Sequence, residues 1–112
     1  MSAALRPTEP SETPALLALA EGTGVFKPIE IEALEEVLDD YHAHEHANGH
    51  RCVTAWQDAQ PIGFVYWAPE EMTDRTWCLW WIAVRQDLQA LGAGAELLRA
   101  CEAGVRAAGG RL

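Results

Sequence analysis

The stretch from Thr76 to Leu98, TWCLWWIAVRQDLQALGAGAELL, most constrains what this chain can fold into. Its first nine residues are dense in tryptophan and branched aliphatic side chains, which is typical of a β-strand. A polar turn at residues 85–87 follows, and Gly92 and Gly94 then lead into a helical run of alanine and leucine. A strand that enters a helix through glycines brings unpaired backbone amides and the positive end of the helix dipole together. The stretch therefore predicts a site for an anionic group such as a phosphate.

The strand in this stretch has two apolar faces. Such a strand belongs in the middle of a sheet that is covered on both sides. Strict alternation of side chains predicts that one face carries Cys78, Trp80, Ile82 and Val84, and the other Trp77, Leu79, Trp81 and Ala83.

The remaining residues predict a single α/β (α+β) domain over residues 1–112, with the element order β-α-α-β-β-β-α. Its sheet is expected to be mixed and mostly antiparallel, because the middle strands read as a hairpin, and to be flanked by helices. The expected elements are a strand near Ala3–Arg6, helices over Ala15–Glu21 and from Pro28, strands over Arg51–Trp56 and Ile62–Trp67, the strand Thr76–Val84 and a helix that ends near Ala108.

Charge and cysteine content exclude several classes of function. The formal net charge is -9 and the basic residues are scattered, so no nucleic acid is expected as a partner. No apolar run approaches about 18 residues and no secretion signal opens the chain, so no membrane span is expected. Cys52, Cys78 and Cys101 form no disulfide or CxxC metal pattern, which predicts buried reduced thiols and a cytoplasmic protein.

Four histidines lie between His42 and His50. On a helix, the spacing of His42 and His46 could place two imidazoles on one side of a metal ion. Asn48 and Gly49 interrupt that geometry, so no metal site is expected. Solvent-exposed loop histidines are the simpler prediction, and a substrate-facing loop is the alternative.

The spacing Gln89-x-x-Gly92-x-Gly94, directly after a strand that ends Trp81-Ile82-Ala83-Val84, resembles motif A of the GNAT-type N-acetyltransferase superfamily. That motif reads Gln or Arg, any, any, Gly, any, Gly or Ala. The predicted order of elements is also similar to that family, so the resemblance covers essentially the whole chain. A Rossmann dinucleotide site fits worse, because there is no full GxGxxG and the preceding hairpin is antiparallel. A Walker-type loop is excluded because no Gly-Lys-Ser/Thr is present.

The resemblance implies acetyl-CoA as co-substrate and transfer of its acetyl group to a primary amine of a small molecule or protein. It implies that the strand backbone pairs with the pantetheine arm and that amides from Gln89 to Gly94 hold the pyrophosphate. A side chain at Gly92 or Gly94 would block close approach of the diphosphate. The implied cofactor-binding residues are Ile82, Ala83, Val84, Gln89, Ala90, Leu91, Gly92, Ala93 and Gly94.

The residues that would catalyse this transfer are not identified by the sequence. Family members continue with a fifth strand and a helix that often carries a tyrosine acid, whereas this sequence stops at Leu112, so we expect the C-terminal portion to be lacking. Some members place a glutamate base on the fourth strand, where this chain has Trp80 and Trp81. The remaining candidates are the bases Glu70, Glu71 and Asp74, for which exposed loop charge is the simpler interpretation, and the acceptor-lining residues Tyr66 and Trp67, for which core packing is simpler.

A second hypothesis is a catalytically incomplete module. It would bind acyl-CoA, or would associate with a partner or a second copy through the exposed edge of the fourth strand.

Overall fold

Four strands and three α-helices make up the described part of the chain, which is residues 4–44, 49–69, 76–85 and 92–110 of a computed structural model. The predicted element order is confirmed. The elements are β1 Ala4–Pro7, a 3-10 turn Pro10–Glu12, α1 Thr13–Gly22, α2 Pro28–Ala43, β2 Arg51–Gln57, β3 Gln60–Pro69, β4 Trp77–Val84 and α3 Ala93–Ala107.

Helix α2 begins where local chemistry favours a start. Pro28 lies in the first turn, where its missing N–H has no helical partner to lose. The side chain of Glu30 reaches back and accepts a hydrogen bond of 2.7 Å from the Lys27 N–H. The helix then buries Leu34, Leu38 and Tyr41, as their spacing of three and four residues predicts.

The sheet is antiparallel throughout the described residues, in the order β1-β2-β3-β4. Strands β2 and β3 are joined at Asp58 and Ala59, which have φ angles of 52° and 63°. Positive φ at both central residues is the conformation of a tight two-residue hairpin turn. β4 has a strand neighbour on one side only within the described chain, so the prediction of a central position in the sheet is wrong for this part of the structure.

The sheet separates two apolar cores. Helices α1 and α2 cover one face and pack on side chains of β3 such as Phe64 and Tyr66. Helix α3 covers the other face with four buried residues spaced by four. They are Ala93, Leu97, Cys101 and Val105.

A β-bulge in β4 changes the predicted division of its faces. Tyr66 lies opposite Trp81 and Trp67 lies opposite Leu79, so Trp80 is an extra residue in β4. The extra residue reverses the alternation beyond it. Trp77, Leu79, Ile82 and Val84 pack on the α3 side, whereas Trp81 and Ala83 pack on the side of α1 and α2, so the predicted grouping of faces is wrong.

No helix within the described ranges is long and apolar enough to span a membrane.

Candidate functional site

The start of α3 presents backbone amides ahead of the helical hydrogen-bond ladder. The first bond of the helix runs from the Glu96 N–H to the Gly92 carbonyl at 3.0 Å. The amides of Ala93, Gly94 and Ala95 therefore precede the ladder, and the helix dipole gives them a partial positive charge. This arrangement can hold an anionic group.

Gly92 and Gly94 at this helix start differ in what the backbone requires of them. Gly92 has a φ of 87°, a left-handed conformation that glycine adopts without strain. A Cβ at Gly94 would lie 3.8 Å from Cγ2 of Val84, which is an ordinary van der Waals contact. No described residue would therefore exclude alanine at Gly94. A bare backbone at Gly94 would let an anionic group approach the amides closely.

Backbone groups at the end of β4 face the open edge of the sheet. The Arg85 N–H donates to the Ile62 carbonyl at 2.8 Å, and the register pairs Val84 with Gly63. In an antiparallel pair, successive residues alternate between bonding the partner strand and pointing away from it. The N–H and C=O groups of Ile82 and Val84 therefore point away from β3, and those of Ala83 point toward it. An extended ligand at this edge would find its partners at Ile82 and Val84.

The bulge at Trp80 lies two residues before this edge and carries an aromatic cluster. The cluster consists of His50, Tyr66 and Trp80. The Trp80 ring stacks on Tyr66 with centroids 5.6 Å apart, and the His50 ring meets Trp80 edge-on at 4.9 Å. Although packed in this way, Trp80 keeps 45% of its surface exposed. The cluster therefore offers an aromatic surface beside the bulge.

The hydroxyl of Tyr66 anchors this cluster. It shares a hydrogen bond of 2.5 Å with Nδ1 of His50, and the Tyr66 side chain is only 1% exposed. Burial raises the pKa of Tyr66, so its hydroxyl stays protonated at neutral pH. The prediction of a solvent-exposed loop histidine is thus wrong for His50, which is half-buried. It is correct for His44, at the end of α2.

Several of the predicted site residues cannot be placed. Gln89, Ala90 and Leu91 lie outside the described residues, as do the candidate bases Glu70, Glu71 and Asp74 and the histidine His46. Trp67 packs in the core beside α3, as the simpler interpretation predicted. No group of three residues that could ligate a metal ion occurs among the parts of the chain that are described.

Two of the three cysteines are buried thiols. Burial raises the pKa of Cys52 to about 12 and that of Cys101 to about 11, and both side chains are fully enclosed. Cys78 is half-buried. The predicted buried thiols are confirmed at Cys52 and Cys101, and neither is suited to act as a nucleophile at neutral pH.

The model of the acetyltransferase (GNAT) family matches residues 15–112 of the chain. A solved GNAT-family protein from Desulfovibrio desulfuricans is 32% identical with a TM-score of 0.91, and the match covers 98% of this chain and 70% of that one. A search of the curated proteins finds no match.

Two more distant solved structures share the fold. A GNAT-family acetyltransferase from Brucella melitensis, in complex with acetyl-CoA, is 20% identical with a TM-score of 0.73, and the match covers 96% of this chain and 70% of that one. The PaiA N-acetyltransferase from Thermoplasma acidophilum, in complex with coenzyme A, is 18% identical with a TM-score of 0.76, over 97% of this chain and 75% of that one.

Proposed function

We propose that this chain, which belongs to the GNAT acetyltransferase family, binds acetyl-CoA along β4 and at the start of α3 and transfers the acetyl group to a primary amine. One observation carries the proposal. The outward backbone groups of Ile82 and Val84 are followed along the chain by the amides of Ala93, Gly94 and Ala95, which have no partner in the helical ladder and none among the described backbone groups. An edge that pairs an extended amide arm, next to an amide nest that takes a diphosphate, fits the two parts of coenzyme A.

Different residues would bind the two parts of coenzyme A. Ile82 and Val84 would pair with the pantetheine arm, and the amides of Ala93 and Gly94 would hold the diphosphate. We propose that Gln89, Ala90, Leu91 and Gly92 complete the diphosphate site. Ala83 would not pair with the arm, because its backbone groups point toward β3 and its side chain is buried on the side of α1 and α2.

The acyl end of bound acetyl-CoA would lie near the bulge at Trp80. Acetyl-CoA supplies the acetyl group as a thioester. A neutral amine can attack its carbonyl carbon, which forms the amide C–N bond and breaks the C–S bond, and coenzyme A leaves as a thiolate that takes up a proton while the amine loses one. If the arm pairs with Ile82 and Val84, its acyl end lies toward Trp80, because the diphosphate holds the opposite end at α3. The acceptor amine would then approach beside the aromatic cluster of His50, Tyr66 and Trp80. The exposed ring in this cluster is that of Trp80, and its face can attract the protonated form of an amine before the amine loses its proton.

Isothermal titration calorimetry with acetyl-CoA tests this binding site, and Gly94→Asp is its most informative variant. A carboxylate in the first turn favours the helix by about 0.3–1 kcal/mol. The same carboxylate about 6 Å from a phosphate would weaken binding by roughly 2–3 kcal/mol at an effective dielectric constant of about 20. We therefore expect Gly94→Asp to fold at least as stably as the wild type and to bind acetyl-CoA on the order of 100-fold more weakly.

Two further variants complete the test. Gly92→Asp should also bind weakly, although its positive φ adds strain that Gly94 lacks. Ala103→Asp places the same charge at an exposed position far along α3 and should bind like the wild type. Equal affinity in all four proteins would overturn the phosphate site.

A second candidate function is association of two copies through the edge of β4. The supporting observation is that, in the described chain, β4 pairs with β3 alone. A dimer of this kind would use the same groups of Ile82 and Val84 as the pantetheine arm. Light scattering during size exclusion should then show a dimer that acetyl-CoA converts to a monomer. A mass that is independent of acetyl-CoA argues against the shared edge. We also propose that the protein is cytoplasmic and that its acceptor is a primary amine of a small molecule or of a protein.

A further inference from the structure

A groove of about 460 Å³ runs along α3 from its first turn. It is lined by Leu5, Gly92, Glu96, Arg99 and Ala100. The lining positions of α3 recur at four and three residues, so they share one face of the helix. With a rise of about 1.5 Å per residue, Arg99 lies roughly 10 Å along the helix axis from Gly92. The groove therefore joins the start of α3 to a cationic side chain two turns further on.

The guanidinium of Arg99 is available to a ligand. Its side chain is exposed, and no hydrogen bond or ion pair between described residues occupies it. Glu96, which lies in the first turn, is the acidic side chain among the lining residues. An arginine presents a planar fork of donors that matches the oxygens of a phosphate group. In a chain of net charge -9, such a group favours an anion at this groove over the surrounding surface.

We propose that this groove receives the 3′-phosphate of the adenosine end of coenzyme A and that Arg99 binds it. The inference rests on the proposed function, which fixes the diphosphate at the amides of Ala93 and Gly94. From that point the nucleoside can run along the helix face that carries the groove. The 3′-phosphate is a phosphomonoester with a charge of about -2 at neutral pH, and it is the strongest anion beyond the diphosphate. Arg99 is thus a specificity-determining residue that distinguishes coenzyme A from its 3′-dephospho form.

The test compares two ligands by calorimetry, coenzyme A and 3′-dephospho-coenzyme A. The measured quantity is the ratio of their dissociation constants, which cancels effects on the shared diphosphate and pantetheine. The wild type should bind coenzyme A about 10-fold or more tightly than the dephospho form, as expected for a charge-assisted contact with a phosphate. Arg99→Gln should bring this ratio close to one. Arg99→Lys should keep part of it, because a lysine retains the charge without the fork.

A matched control is available on the same helix. Arg106→Gln removes the same charge near the C-terminal end of α3 and should leave the ratio unchanged. Both arginines are exposed, so circular dichroism should show wild-type folding for all three variants.

The outcomes separate this inference from the proposed function. If the wild type binds both ligands with equal affinity, the proposed function stands and the role of Arg99 is overturned. If Arg106→Gln lowers the ratio as much as Arg99→Gln, the effect is general charge and the groove is not the site. If neither ligand binds, both the proposed function and this inference fail.

Discussion

Replacing Gly104 by alanine tests how tightly α3 packs on the sheet. In an exposed helix interior this change stabilises by about 1 kcal/mol, because glycine is a poor helix former. At Gly104, however, the new Cβ would lie 2.7 Å from Cζ2 of Trp67 and 3.4 Å from its Cε2. The ring cannot move away freely, since Trp67 is only 4% exposed. Overpacking costs about 1–3 kcal/mol, and a contact as short as 2.7 Å favours the upper part of that range, so a net loss of stability remains after the helix gain of about 1 kcal/mol.

The expected net loss is about 1–2 kcal/mol, which corresponds to a melting temperature lower by roughly 5–10 °C. Urea denaturation followed by far-ultraviolet circular dichroism measures it. Gly22→Ala is the matched control. This glycine ends α1, and a Cβ there would meet no described residue within 4 Å, so the variant should gain up to about 0.5–1 kcal/mol.

A double mutant identifies the cause of the loss at Gly104. Trp67→Phe removes the part of the ring that the new Cβ would strike. It should therefore make Gly104→Ala much less harmful, with a coupling energy of about 1 kcal/mol or more. If Gly104→Ala is as stable as the wild type, or if its cost is unchanged beside Trp67→Phe, the close contact inferred between α3 and β3 is refuted.

Three further predictions concern local features. Ala59→Gly should raise the free energy of unfolding by about 0.5–1 kcal/mol in urea denaturation, because Ala59 holds a φ of 63° in the hairpin turn; no gain would contradict the assigned turn. Tyr66→Phe should cost about 1 kcal/mol by loss of the bond to His50, and nuclear magnetic resonance should show the His50 ring signals shifting. An unshifted ring would argue against that bond. Burial raises the pKa values of the Cys52 and Cys101 thiols above their unfolded value of about 9, because it disfavours the thiolate. The fold therefore keeps its full stability below about pH 9 and loses stability as the pH rises toward 11 to 12. Denaturation at pH 8 and pH 10 should show the loss, and Cys101→Ala should reduce it.

The element order could be predicted because each element carries a local signal. The spacing of Leu34, Leu38 and Tyr41 is helical whatever surrounds it, and the polar turn between β2 and β3 interrupts two runs of strand formers. The glycines at the start of α3 likewise mark a strand-to-helix turn within a few residues. These signals depend on neighbours along the chain, which a sequence displays directly.

The aromatic cluster could not be predicted in this way. His50 lies 16 residues from Tyr66, and their contact exists only because β2 and β3 pair in one particular register. A histidine next to a glycine in a polar segment has the composition of a loop, and this composition predicts an exposed side chain. The register that brings it to Tyr66 depends on the hairpin as a whole.

The bulge at Trp80 is the reason why strict alternation does not predict the faces of β4. Every residue from Trp77 to Val84 is apolar, so either alternation places apolar side chains on both faces, and no polar residue marks a change of phase. The bulge arises from pairing, where Tyr66 and Trp67 of β3 face three residues of β4. The bulge also affects the proposed binding site. One extra residue decides which backbone groups beyond it bond to β3 and which face the open edge. The proposed ligand edge at Ile82 and Val84 is therefore fixed by a feature of the sheet, and the motif that follows β4 determines only where that edge meets the helix.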